Sequence, residues 1–248
     1  PVMLESGRLV LADLLAGTDG AHSRIRAWAG LPTREWDYGH SAIVATIRCQ
    51  QSLQDTAWQR FMPSGPLAFL PMPTDAHLAS IVWSTGHEAV AELMALSDEA
   101  FLLALSAAFE ERLGPVEAVS RRAVFPLRQR HARCYWTEGV VLAGDAAHTI
   151  HPLAGQGVNL GFKDVEVLAE ELTRAFRRGI APGSAAVLGR YQRRREGDNL
   201  ATMAAMEAFK RLFAAEQPLL RWLRNEGMRR FDGWLPLKQH AMMKAMGL

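Results

Sequence analysis

Two stretches of the chain hold residue types that could do chemistry. The first runs Leu142-Ala143-Gly144-Asp145-Ala146-Ala147-His148 and continues to Pro152-Leu153-Ala154-Gly155-Gln156-Gly157-Val158-Asn159-Leu160-Gly161. Here an apolar strand delivers an acidic residue to its C-terminal end, where ligands of open α/β sheets collect. An aspartate in that place can accept hydrogen bonds from a polyol. Gly155-Gln156-Gly157 then brings bare backbone N–H groups to a helix N-terminus, whose partial positive charge suits an anion. The second stretch is Gly17-Thr18-Asp19-Gly20-Ala21-His22-Ser23-Arg24-Ile25-Arg26. It stops a short apolar run in a tight Asp-Gly turn, a feature that is structural more often than functional when it stands alone. Ser23 has no nearby base pattern and does not read as a nucleophile. His148 and His151 have neither metal-cluster nor triad partners in the sequence and read as loop-stabilising donors.

The elements that must position these residues follow from periodicity and turn chemistry. Val2 to Leu4 and Leu9 to Leu11 flank a Glu5-Ser6-Gly7 turn and predict a hairpin. Leu11 to Ala16 predicts a buried strand, and His22 to Ala29 a short helical turn. Strands follow at Ala42 to Arg48, Thr56 to Met62, Leu67 to Met72 and Leu78 to Ser84, with a strong turn at Pro63-Ser64-Gly65-Pro66. One helix interrupts them, with Ser97 as N-cap, an apolar stripe of Phe101, Leu102, Leu105, Ala108, Phe109 and Leu113, and Gly114-Pro115 as stop. Gly139 to Gly144 is the strand before Asp145. The helix after the glycine-rich loop is predicted to bury Val158, Phe162, Val165, Leu168, Ala169, Leu172 and Phe176 on one face, with Gly179 closing it. From about Ala185 the chain reads as amphipathic helix. The fold class is therefore α/β (α+β): the end of an α/β unit at 1–30, a β-rich insertion at 31–133, a return to α/β at 134–184, and a helical tail at 185–248.

Composition narrows the function. The 248 residues are 49% hydrophobic and 22% charged, with a formal net charge of +2 that gives no case for a nucleic-acid partner. The charge is uneven: residues 186–248 hold twelve Lys/Arg against six Asp/Glu. Such a tail suits an anionic membrane surface or a partner protein, beside the commoner solvated helical face. Cys49 and Cys134 have no metal-ligand spacing and read as reduced thiols of a cytosolic protein. No signal peptide is visible, and no apolar run is long enough to span a membrane. Seven tryptophans and ten methionines read as core, although Trp58, Phe61, Phe69 and Trp83 include candidates for an apolar cavity wall.

The stretch from Leu142 to Gly161 resembles the GD motif of the para-hydroxybenzoate-hydroxylase-like flavoprotein monooxygenases, and Gly17 to Arg26 resembles the same family's DG motif. The two stand in the family's order, separated by a β-rich insertion. Further phrases resemble the ubiquinone-pathway branch, and within it the proteobacterial 2-polyprenylphenol 6-hydroxylases: Trp36-Asp37-Tyr38-Gly39-His40, Val44 to Arg48, Ala68 to Pro71, Ser80 to Ser84 and Phe125-Pro126-Leu127. The resemblance implies FAD as cofactor, NAD(P)H as reductant, O2 as co-substrate and a polyprenyl phenol as the molecule hydroxylated. It implies cofactor contacts from Asp19, Arg26, Gly144, Asp145, Pro152, Gly155, Gln156, Gly157, Val158 and Asn159. It points to no acid–base pair, because the hard chemistry belongs to the cofactor. A membrane-resident substrate would place the protein in the cytoplasm, peripheral to the inner membrane, or in a biosynthetic assembly.

The family's N-terminal G-x-G-x-x-G between strand and helix has no counterpart here, since the only G-x-G is Gly155-Gln156-Gly157. The fold expected is thus a truncated FAD-binding Rossmann-like domain with an inserted β-rich substrate domain. Two expectations follow: weak or absent FAD binding by this chain, and self-association over an exposed sheet edge. Two other readings stand beside the hydroxylase: a same-fold flavoenzyme with different redox chemistry, and a non-catalytic binding or assembly module.

Overall fold

A computed structural model describes residues 2–149, 156–214 and 217–246. The chain divides into two compact units, one formed by residues 1–36, 128–208 and 230–248, the other by 37–127 and 209–229. In the first unit, β1 (Val2–Met3) and β2 (Leu9–Val10) form the expected hairpin, with Gly7 at φ +78° in its turn. β3 (Leu15–Gly17) leads into α1 (Arg24–Trp28). Far along the chain, β10 (Trp136–Thr137) and β11 (Val140–Leu142) complete a three-stranded sheet of order β10-β11-β3. The β11–β3 pair is parallel, with Leu142 opposite Gly17, so the Asp-Gly turn and the turn bearing Asp145 leave the sheet at the same end. Hydrophobicity accounts for the location: Val141 and Leu142 are buried with Ala146, Ala147, Leu168, Ala175, Val187 and Leu188 in one core.

The second unit carries most of an antiparallel sheet. β4 (Thr33–Cys49), β5 (Trp58–Met62), β6 (Gly65–Met72), β7 (Asp75–Gly86), β8 (Val116–Val119) and β9 (Ala123–Ala132) give the order β9-β4-β7-β6-β5, with β8 also on β4. Alternation along β4, β6 and β7 sends Ile43, Ile47, Leu67, Phe69, Ile81 and Trp83 to one face. There they pack with α2 (His87–Ala95) and α3 (Asp98–Ala108). Ser97 caps α3, its hydroxyl accepting from the Ala100 N–H at 3.2 Å. The helix ends at Ala108, earlier than Gly114 implied, although Phe109 and Leu113 are still buried. Phe69 stacks on Phe109 and Trp83 tilts on Phe101, while the Trp58 indole donates to the Leu53 carbonyl. These three aromatics are packing. Phe61 is the more exposed one, and it lies against Phe213.

The rest of the chain is helical: α4 (Gln156–Arg177), α5 (Ala185–Ala214), α6 (Pro218–Gly233) and α7 (Leu235–Met246), with β12 (His148–Thr149) before α4. The face of α4 differs from expectation. Leu160, Asp164, Leu168, Glu171 and Ala175 point inward, whereas Val158, Phe162, Val165 and Phe176 are exposed, Phe176 at 87%. Two inward acids are tolerated because α5 supplies their counter-charges. Arg190 and Arg194 both reach Glu171 at 2.9 Å, and Arg195 reaches Asp164 at 2.7 Å. No described helix is long and apolar enough to cross a membrane.

Candidate cofactor site

The site is built where β3 and β11 end. After β11 the chain makes one 3₁₀ turn, Gly144–Ala146, with Gly144 at φ +62°. Helix α4 crosses so closely that a Cβ on Gly161 would stand 3.3 Å from the Gly144 Cα. A side chain at Gly161 would press on the turn, and one at Gly144 would be strained by its positive φ, so this pair sets how near the start of α4 lies to Asp145. Gly157, in the first turn of α4, has the Asp145 Oδ1 as nearest neighbour, 4.0 Å from where a Cβ would be.

Three acidic side chains near these turns differ in how their oxygens are used. Asp19 is committed to α1: its carboxylate accepts from the Ser23 hydroxyl, the Arg24 N–H at 2.8 Å and the Ile25 N–H at 3.1 Å. Desolvation opposes its charge, but the Ser23 hydroxyl and the Ile25 and Arg24 amides outweigh it and hold the carboxyl below the usual range. Asp164 is fully committed inside the core. Asp145 is different: its side chain is exposed and no described residue donates to its carboxylate. Partial desolvation raises its pKa, with the nearby His148 opposing the rise. An acceptor already stripped of some water, beside a helix start, is ready for hydroxyl donors from a ligand.

Arg26 joins the two turns. Its side chain is buried, donating from Nη1 to the Ala146 carbonyl at 2.8 Å and from Nη2 to the Ala21 carbonyl at 2.9 Å. Arg130, paired with Glu35 at 2.7 Å, donates to the same Ala21 carbonyl. The structure thus brings Asp19, Arg26, Gly144, Asp145, Gly157, Val158 and Asn159 to one end of the sheet, with Asp19 and Arg26 holding backbone and the Asp145 carboxylate accepting from no described residue. Val158 is exposed at the start of α4. Gln156 opens that helix, and Pro152, Gly155 and His151 lie outside the described residues.

A buried polar network beneath the turn had no counterpart in the sequence reading. Asp164 Oδ2 accepts from the Gly144 N–H at 2.9 Å and lies 2.6 Å from His148 Nε2, while Oδ1 accepts from Arg195 Nε at 2.7 Å. Asn199 bridges Asp164, Arg195 and the Tyr135 hydroxyl, which in turn meets His131 Nε2 at 2.8 Å. His148 thus links β12 to α4 through Asp164. Its Nδ1 is buried without a hydrogen-bond partner among the described residues. Burial works against the Asp164 charge, but His148, Arg195 and the Gly144 amide outweigh it and keep its pKa low. Burial first, and then the facing His148, hold the His131 imidazole below its ordinary range. Among the described residues no cluster of His, Cys, Asp or Glu could hold a metal ion.

These shifts give a signed pH dependence. A lowered folded pKa contributes stability that is present above the unfolded value and lost as pH falls. Stability is expected to be flat above about pH 6.5, to decline below it as His131 resists protonation, and to fall further below about pH 4 through Asp164 and Asp19. Denaturant titrations from pH 7.5 to pH 3.5 measure this. His131→Gln should remove the first decline, and an unchanged slope between pH 6.5 and pH 5 would refute the assignment to His131.

The parallel strand pair, the acidic turn and the glycine-lined start of α4 define an α/β cofactor domain. The chain belongs to the FAD binding domain family, whose model matches residues 4–205. It is 40% identical over 245 residues to the 3-demethoxyubiquinol 3-hydroxylase of Escherichia coli (strain K12), covering 99% of this chain and 62% of that protein. It is 39% identical over 244 residues to the ubiquinone hydroxylase UbiL of Rhodospirillum rubrum, covering 98% of this chain and 56% of the relative. Among solved structures, it is similar to PqsL of Pseudomonas aeruginosa, described as a probable FAD-dependent monooxygenase, with TM-score 0.70 and 26% identity over 85% of this chain and 58% of that one. The chain therefore spans about three-fifths of the length of the curated relatives it matches.

Proposed function

We propose that this chain is the part of a flavin-dependent aromatic-ring monooxygenase that holds the ribityl and ring end of FAD, and that the protein hydroxylates a polyprenyl phenol in ubiquinone biosynthesis. The observation that carries the reading is Asp145: a carboxylate that accepts from no described residue, in the turn after β11 and against the first turn of α4, in a chain of the FAD binding domain family. FAD, reduced by NAD(P)H, supplies the reaction with O2 that puts one oxygen atom on the ring and releases the other as water. The residues of this chain supply position. Asp145 would accept from ribityl hydroxyls of the cofactor. The first-turn amides of α4, from Gln156 to Asn159, would stabilise negative charge on a bound flavin. Asp19 and Arg26 hold the Asp-Gly turn against the turn that carries Asp145. The names of the E. coli and R. rubrum relatives support the ubiquinone-pathway substrate class.

FAD titration followed by flavin fluorescence tests this. Losing charge-assisted hydrogen bonds of about 1.5–3 kcal/mol, Asp145→Ala should weaken FAD binding roughly 10- to 150-fold. Because the chain shows no G-x-G-x-x-G, weak but measurable FAD binding is expected of the wild type. Equal affinity of variant and wild type would remove Asp145 from the site, and no uptake of FAD even at high concentration would remove the cofactor reading for this chain. The same reading sets the C-terminal helices at an anionic lipid surface. Leu219, Trp222 and Leu223 are exposed on α6 together with Arg221 and Arg229. Co-sedimentation with anionic vesicles should be lost when Arg221, Arg224 and Arg229 are changed to Glu, and unchanged sedimentation counts against a membrane role.

A further inference from the structure

We infer that Asp164 is the positioning residue of the cofactor site: held in place by Arg195 of α5, it clamps the Gly144 amide and so sets the direction in which Asp145 leaves the sheet. The inference rests on the cofactor reading above for its consequence, but the clamp itself is a property of the chain. Asp164 is 0% exposed, His148 1% and Arg195 2%, so no water competes for these contacts. One carboxylate oxygen takes the Gly144 N–H and His148 Nε2, and the other takes Arg195 Nε and Asn199 Nδ2. The Gly144 amide is the hinge of the turn, because Gly144 alone in it has positive φ and the next residue is Asp145. Arg195 is itself restrained on both sides, by Asp198 at 2.9 Å and Asn199 at 2.8 Å. A chain of direct contacts therefore runs from α5 through α4 to the residue before Asp145.

Asp164→Asn discriminates between clamping and mere packing. The amide oxygen can still accept from Arg195 and Asn199, and His148 can change tautomer to accept from the new NH2 group. The Gly144 N–H cannot change, and it then faces a donor. Hydrogen exchange of the Gly144 amide, read by NMR, should be slow in the unaltered chain and at least tenfold faster in Asp164→Asn, with α5 amides changed much less. The FAD dissociation constant should rise at least tenfold, and the visible circular dichroism of any bound flavin should change. Because the substitution leaves Arg195 buried with less counter-charge, a second variant removes both charges together. Asp164→Asn/Arg195→Gln should recover thermal stability towards wild type while Gly144 exchange stays fast and FAD affinity stays low. Restored FAD affinity in the double variant, at restored stability, would show a packing role and overturn the inference. A Gly144 amide that exchanges as fast as exposed amides in the unaltered chain would overturn it whether or not either variant folds. If the unaltered chain takes up no FAD while Gly144 is protected, the cofactor reading falls and the clamp stands.

Discussion

Replacing Arg195 with leucine is expected to destabilise the chain by about 3–5 kcal/mol, the usual cost of removing one partner from a buried ion pair. The guanidinium is a permanent positive charge 2.7 Å from a completely buried carboxylate. Its removal leaves Asp164 to be stabilised by His148, Asn199 and one backbone amide. The Asn199 side-chain oxygen, which accepts from Arg195, loses its donor as well. Urea unfolding at pH 7 should show a lower midpoint at an unchanged slope. The loss should shrink as pH is lowered below about 4, where Asp164 can take up a proton instead of standing unpaired. Replacing both residues by apolar ones should cost less than the single change, since no charge is then stranded. A single-variant loss under about 1 kcal/mol, on the scale of an exposed pair, would mean that solvent reaches this network.

Gly65→Ala should have an effect of similar size in the other unit. Gly65 opens β6 at φ +133°, a conformation L side chains rarely adopt, and a Cβ there would lie 2.1 Å from the Ser84 carbonyl oxygen of β7. Backbone strain and overpacking each cost about 1–3 kcal/mol, and the clash is with main chain that rotamer changes cannot relieve. A total loss of about 2–6 kcal/mol is expected. Gly197→Ala is the matched control: it lies within α5 with no heavy atom within 4 Å of its Cβ position, and should gain about 0.5–1 kcal/mol from helix propensity. Thermal unfolding of the two variants side by side checks the pair. Similar melting temperatures would mean that β6 and β7 separate at Gly65 in solution.

Local chemistry alone determined the hairpin at Gly7, the Ser97 cap and the strand that ends at Asp145, because turn conformation, capping and alternation involve neighbours within a few residues. The two motif stretches and their order were enough to place the chain in a flavoprotein family. Tertiary structure decided which acidic residue is committed among the described residues. Asp19 and Asp145 follow short apolar runs in the same way, yet one caps a helix and the other faces outward. The face of α4 was also a tertiary decision. Periodicity put Val158, Phe162, Val165 and Phe176 inside because it counts an acid as solvent-facing. Asp164 and Glu171 lie inside because Arg190, Arg194 and Arg195, 19 to 31 positions along the chain, neutralise them. A buried charge is stable only with its partner, and that partner is brought near by folding, not by sequence spacing.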